Sequence, residues 1–306
     1  MKIRDVIPEY LRYMHAIGRS PLTVRNARFI LKSVARYLEQ QGVFHIEELN
    51  REVIEDYQEA LAFSLTAKGK PLSVRTQIKK LNTVTCFTRF LKEKDYLVSN
   101  PGAWIKLPRE GKRLPRSILD RSEIKQLLKS PDLRTNKGYR DRVLLEILYD
   151  TGIRRAELSH IKLSDLDLNA GYVKVTGKGD KERVVPVSQK VCELIQSYIL
   201  SVRPSLLKGE DKGWLILNDI GGQIKTHTVW HIVKKCSRLA HMKKNVTTHT
   251  FRHTCATHML KNGAPIRHLQ EMLGHESLES TQIYTHVTIN DLKEIHAKYH
   301  PRETLV

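Results

Sequence analysis

Apolar residues recur at helical spacing through most of the first hundred positions. Between Ser20 and Gly42 they fall at Val24, Ala27, Ile30, Leu31, Val34 and Leu38. Residues three and four apart share one face of an α-helix, so this stripe predicts an amphipathic helix. Its ends are marked as well. The Ser20 hydroxyl can accept from orphan N–H groups, Pro21 suits the first helical position, and Gly42 closes the run. Asn50 opens a second helix carrying Val53, Ile54, Tyr57, Ala60 and Leu61. Ser73 opens a third that runs through Ile78, Leu81, Val84, Phe87, Phe90 and Leu91. A shorter stripe covers residues 3–17. Four helices with short connections predict a small bundle over residues 1–105. The period then disappears across residues 106–118, where proline, glycine and basic residues crowd together, which predicts a basic linker.

A different pattern fills residues 119–306. Asp120 or Ser122 caps a helix through Ile124, Leu127 and Leu128, and Asp141–Tyr149 forms an apolar helix. Residues 171–187 alternate apolar and polar positions around Gly177-Lys178-Gly179-Asp180, which predicts a β-hairpin. Trp214–Leu217 is strand-like and precedes Gly221-Gly222. Helices follow at about 227–241, 249–262, 265–273, 279–283 and 289–298. The predicted fold class is mainly α with a small β-sheet, in two domains.

Charge adds the first functional information. The 306 residues are 40% hydrophobic and 28% charged, which suits a globular chain and argues against disorder. No apolar run is long enough for a membrane span, and the N-terminus has no secretory pattern. Four scattered cysteines form no C-x-x-C pair, so reduced thiols in a cytoplasm are expected. Lys and Arg number 52 against 33 Asp and Glu, a net charge of +19. Residues 1–108 hold 18 basic and 11 acidic side chains, so both halves carry an excess. A polyanion contacted along the whole chain is the natural partner. Arg25 and Arg75 lie in Pro-Leu-Thr-Val-Arg and Pro-Leu-Ser-Val-Arg, at the starts of two predicted helices. Positive charge there opposes the helix dipole, which makes both candidate phosphate contacts.

Reactive side chains gather at the turns of the second domain. Arg154 and Glu157 follow Thr151-Gly152, Lys178 sits at the hairpin tip, and His249-Thr250-Phe251-Arg252 opens a helix. Leu273-Gly274-His275 closes another, and Gln282-Ile283-Tyr284-Thr285-His286 follows. This ordered series of Arg, Lys, His-x-x-Arg, Leu-Gly-His and Tyr resembles the tyrosine recombinase (phage integrase) family across residues 115–300. The first domain resembles that family's SAM-like core-binding bundle. Residues 119–306 would then be the catalytic domain.

The resemblance implies roles that suit phosphodiester chemistry. Arg154 and Arg252 match the two arginines that hold non-bridging oxygens and offset charge in the transition state. Tyr284 matches the nucleophile, with Tyr299 and Tyr172 as rivals. Lys178 matches the acid that protonates the leaving 5′-oxygen, and His249 and His275 assist proton transfer. Glu157 orients an arginine. Lys112, Arg113, Lys181 and Arg183 join Arg25 and Arg75 as DNA contacts. Thr248 stands where relatives often carry proline, and its hydroxyl can cap the helix. His249 and His253 are four apart, but Thr250 replaces the glutamate of a zinc motif, so no metal is expected. No cofactor is implied, because the phosphotyrosine link conserves the bond energy.

Double-stranded DNA at specific sites is the implied partner, held in a clamp of two domains. The implied assembly is a tetramer on DNA that works through a Holliday junction. A paralogous recombinase or an accessory activator is compatible with it. The terminal helix, with Ile289, Leu292, Ile295 and Tyr299 on its apolar stripe, is expected to dock on a neighbouring protomer. The start directly at the bundle, together with Tyr-Thr-His-Val and Tyr-His-Pro-Arg, points to an Xer-like enzyme. Chromosome resolution and mobile-element integration or excision both fit. A type IB topoisomerase shares the chemistry without synapsis, and a DNA-binding regulator would need the basic surface alone.

Overall fold

A computed structural model describes residues 1–109, 118–177, 180–274 and 289–304. The chain divides into two compact units, Met1–Lys112 and Arg113–Val306, each with its own apolar core. The boundary between them falls inside the segment read as a linker.

The first unit contains α1 (Ile3–Ala16), α2 (Pro21–Gln40), α3 (Arg51–Phe63) and α4 (Val74–Glu93). Its capping follows the sequence. The Ser20 hydroxyl accepts from Thr23 N–H, Asn50 from Val53 N–H and Ser73 from Thr76 N–H. Each satisfies a donor that the first helical turn leaves without a partner. The buried faces meet around Tyr10, Leu31, Leu38, Leu81, Phe87 and Phe90. Tyr10 packs edge-on to Phe87 with ring centroids 5.4 Å apart.

The second unit begins with α5 (Arg121–Lys129), α6 (Asn136–Thr151) and α7 (Arg155–His160). Helix α6 starts five residues before the predicted Asp141, because Thr135 caps it through Gly138 N–H. A three-stranded antiparallel sheet follows, in the order β1 (Leu166–Asp167), β2 (Tyr172–Thr176), β3 (Glu182–Pro186). Val173 pairs with Val185 and Val175 with Arg183. Helices α8 (Gln189–Ser197) and α9 (Arg203–Leu206) flank a π-turn and were not legible in the sequence. Trp214–Leu217, read as a strand, makes only isolated bridges to Lys162 and Gln223. The unit continues with α10 (Thr226–Leu239), α11 (Thr248–Lys261), α12 (Ile266–Leu273), α13 (Ile289–Tyr299) and α14 (Pro301–Thr304). Thr247, one residue before the predicted Thr248, caps α11 by accepting from Thr250 N–H. The helix read at 279–283 lies outside the described residues.

Within this chain, α13 packs on its own unit, the alternative to docking on a neighbouring protomer. Ile295 and Tyr299 lie against the core, and His296 and the following His300 are buried. The physical reason is the C-terminus of α6, whose last carbonyls need donors. His296 Nε2 donates to Asp150 O (2.9 Å) and His300 Nε2 to Tyr149 O (3.2 Å).

Candidate active site

The end of α6 delivers the first arginine. Gly152 terminates the helix at φ 61°, and an added Cβ would come within 2.7 Å of Leu273 Cδ2. Glycine supplies both the left-handed turn and the room. The chain then reverses and Arg154 caps α7. The Arg154 backbone N–H donates to Glu157 Oε2 (2.7 Å), and its Nη1 donates to Glu157 Oε1 (2.9 Å). Its Nη2 donates to Gly274 O (2.8 Å).

Arg252 arrives from the second turn of α11 and is buried. Its Nη1 donates to Gly152 O (3.0 Å) and its Nη2 to Leu273 O (2.6 Å). Burial, and then the neighbouring charge of Arg154, bring its pKa down to about 10. It still carries its charge at neutral pH. His249 lies one turn earlier on the same helix and is exposed.

Arg183 differs from its sequence reading as a DNA contact. Its guanidinium points inward from β3. Nη1 and Nη2 fork onto Glu157 Oε1 and Oε2, each at 2.9 Å, and Nε donates to Met272 O (3.0 Å). The signal lay in the register. Arg183 opposes buried Val175, and buried Val173 and Val185 share that face. Glu157 therefore receives two arginines. Burial pushes its carboxyl up, but the hydrogen bonds and charge of Arg183 and Arg154 outweigh this, and its pKa is lowered.

Three consecutive carbonyls at the C-terminus of α12 thus accept from three different arginines: Met272 from Arg183, Leu273 from Arg252 and Gly274 from Arg154. A helix end leaves such carbonyls without internal partners and carries partial negative charge, so it collects cations. Three guanidiniums face one carboxylate here. The surplus of positive charge suits an oxyanion.

Glu157 and the two arginines read as catalytic are brought together. Gly177, where the hairpin turn leaves β2, joins them, since an added Cβ would lie 3.5 Å from Glu157 Oε1. Lys178, His275 and Tyr284 lie outside the described residues, as do Lys112 and Arg113. Arg25, Arg75 and Lys181 are exposed. In the first unit, Arg25 lines a 1240 Å³ groove with Arg4, Arg12, Arg28, Lys32 and Arg36. Arg75 lines another of 720 Å³ with Lys79 and Arg89. The sequence reading missed the carbonyls that seat the arginines, because backbone acceptors leave no residue signature.

One described cluster has metal-ligand residue types. Ligand atoms of Asp150, His296 and His300 lie within 4.8 Å of one another. The two imidazole rings stack at 7°, so their in-plane lone pairs cannot converge on one ion. Both rings already donate to backbone carbonyls, and the cluster is a helix cap.

Comparison with known proteins places this geometry. Residues 117–291 match the phage integrase family. The chain is 39% identical over 301 residues to tyrosine recombinase XerD of Staphylococcus haemolyticus (strain JCSC1435), covering 98% of this chain and 100% of that protein. It is 38% identical, with the same coverage, to tyrosine recombinase XerD of Staphylococcus epidermidis (strain ATCC 35984). The structure of a lambda integrase dimer bound to a COC′ core site superposes with a TM-score of 0.70 at 18% identity. That match covers 93% of this chain and 100% of the other. XerH bound to its difH substrate, in a pre-cleavage complex, gives 0.67 at 20% identity, over 95% and 82% of the two chains. At those identities the structural likeness establishes the fold. The relatives and the family match together establish that the chain belongs to the phage integrase family and is an Xer-like site-specific tyrosine recombinase, an enzyme that cleaves and rejoins DNA.

Proposed function

We propose that this recombinase exchanges DNA strands through a 3′-phosphotyrosine on Tyr284 and a Holliday junction. The observation that carries the reading is the seating of Arg154 and Arg252 on the adjacent carbonyls of Gly274 and Leu273. Two guanidiniums fixed side by side suit the two non-bridging oxygens of one phosphate, and His275 follows directly in the chain. Preorganised cations of this kind act where charge develops in the transition state. The Tyr284 oxygen bonds to phosphorus and the bond from phosphorus to the 5′-oxygen breaks. The phenolic proton passes to the histidine pair, His249 and His275, and Lys178 supplies a proton to the leaving oxygen. The 5′-hydroxyl of a partner strand then reverses the step and frees the tyrosine.

The first unit acts as the core-binding domain, with Arg25 and Arg75 on phosphates. Lys112, Arg113 and Lys181 extend the contact into the linker and hairpin. The enzyme assembles as a tetramer on two recombination sites; a lambda integrase of the same fold forms a tetramer bound to a Holliday junction. A paralogous subunit or an activator is compatible with that assembly.

Covalent capture tests the reading. Sites are first recovered by sequencing covalently trapped genomic ends, and a nicked duplex carrying one is incubated with the protein. The parent should give a denaturation-resistant adduct, and Tyr284→Phe should bind equally and give none. An undiminished adduct with Tyr284→Phe moves the nucleophile to another tyrosine.

A further inference from the structure

We propose that Arg183 is a positioning residue for strand cleavage, setting the guanidinium of Arg154 against the scissile phosphate through Glu157 and the end of α12. This rests on the function proposed above. Three features carry it. The Glu157 carboxylate is buried and has about four acceptor sites. Arg183 fills two with a bidentate fork, and Arg154 reaches the carboxylate with its backbone N–H and one side-chain nitrogen. The other side-chain contact of Arg154 is Gly274 O, so much of its guanidinium is left for a substrate.

Removing Arg183 changes that division. A buried carboxylate left short of donors draws in the nearest cation, because its desolvation is otherwise uncompensated. The nearest is Arg154, whose remaining N–H groups would turn from the phosphate to Glu157. Arg183 also holds Met272 O, in the same three-residue run that seats the other two arginines. It packs flat against Gly274, where an added Cβ would lie 3.1 Å from its Cζ. One side chain from β3 therefore sets both anchors of Arg154. Lysine cannot take its place, since an ammonium offers no planar fork.

The test uses the full chain, Arg183→Ala and Arg183→Lys, and nicked duplexes with either a natural or a methylphosphonate scissile linkage. The methylphosphonate carries no charge, so its cleavage needs little help from Arg154. Arg183→Ala should cleave the natural linkage about 10²-fold more slowly, the scale of a misplaced catalytic group. It should bind the duplex as the parent does, and the lysine variant should not restore the rate. On the methylphosphonate most of the deficit should vanish. An equal deficit on both linkages, or parental rates in the variant, overturns the proposal. So does rescue by a 5′-bridging sulfur, which would tie Arg183 to the leaving-group acid. Where the alanine variant does not fold, the ratio of the two linkages in Arg183→Lys decides by the same criteria. A parent that forms no adduct on either duplex refutes the functional reading itself, a result distinct from these.

Discussion

Gly274 is fixed by two constraints of different origin. It closes α12 at φ 65°, ψ 58°, a conformation that L side chains resist. Any Cβ would also press on the Arg183 guanidinium. Gly274→Ala should therefore cost about 1–3 kcal/mol in a denaturant titration, the scale of local backbone strain. Cleavage should fall further than that loss of folded protein explains, because Arg183 is displaced. Glu157 supplies a pH signature. Its native pKa lies below the ordinary 4.5, so its stabilising contribution is full above that value and disappears as pH falls through the lower native one. As pH falls below about 4.5, the parent should lose more stability than Glu157→Gln, measured as denaturation midpoints. A parallel loss in both would show that the arginine pairing stabilises nothing. The gathering of Arg154, Arg252 and Glu157 was expected from the family resemblance, which rests on an ordered series of residue types; without it an arginine three residues before a glutamate reads as an ordinary surface pair. Arg183 was misread because a charged residue in a short hairpin usually faces solvent, and only the pairing with Val175 shows otherwise.

At the scale of elements, the hairpin and the terminal helix both serve the site. The hairpin was legible because period-two alternation and a glycine-rich turn are local signals. Helices α8 and α9 were not, since a π-turn breaks the helical period between them and Pro204 stands in the first turn of α9. The cis docking of α13 was also hidden, because its histidines cap another element far away in sequence. Replacing both His296 and His300 with alanine should leave the Tyr149 carbonyl without its imidazole donor and the Asp150 carbonyl with only the weak Cys255 thiol. It should destabilise the second unit by about 1–3 kcal/mol per buried acceptor, read by thermal or denaturant unfolding. An unchanged midpoint would mean that the caps carry no energy and would favour docking in trans. For the hairpin, Lys178→Ala should slow cleavage by about 10²–10⁴-fold, the usual cost of losing a general acid. A 5′-bridging sulfur is a good leaving group without protonation and should restore much of that rate, whereas Arg154→Ala should gain little. If sulfur leaves Lys178→Ala slow and rescues Lys181→Ala, the acid is the other lysine.

At the scale of the whole molecule, charge is the property that sequence shows best, since summing it needs no fold. The surplus of +19 is shared by both units, and the first concentrates much of its share in the two grooves lined by Arg25 and Arg75. What the sequence left hidden is the seating of these side chains, which depends on how α1, α2 and α4 pack. Guanidinium and ammonium groups that bind phosphates displace condensed counterions, so affinity falls as salt rises. Each phosphate neutralised adds about −0.9 to the slope of log K against log salt. If both units bind the duplex, the intact chain should show a steep slope, and the fragment 113–306 should show a much shallower one with weaker affinity. Charge reversal at Arg25 and Arg75 in the intact chain should flatten the slope by about one for each phosphate that is no longer neutralised, while leaving covalent capture of the duplex measurable at low salt. A fragment that keeps the parental slope would place all phosphate binding in the second unit, and the first would then need a role other than gripping DNA.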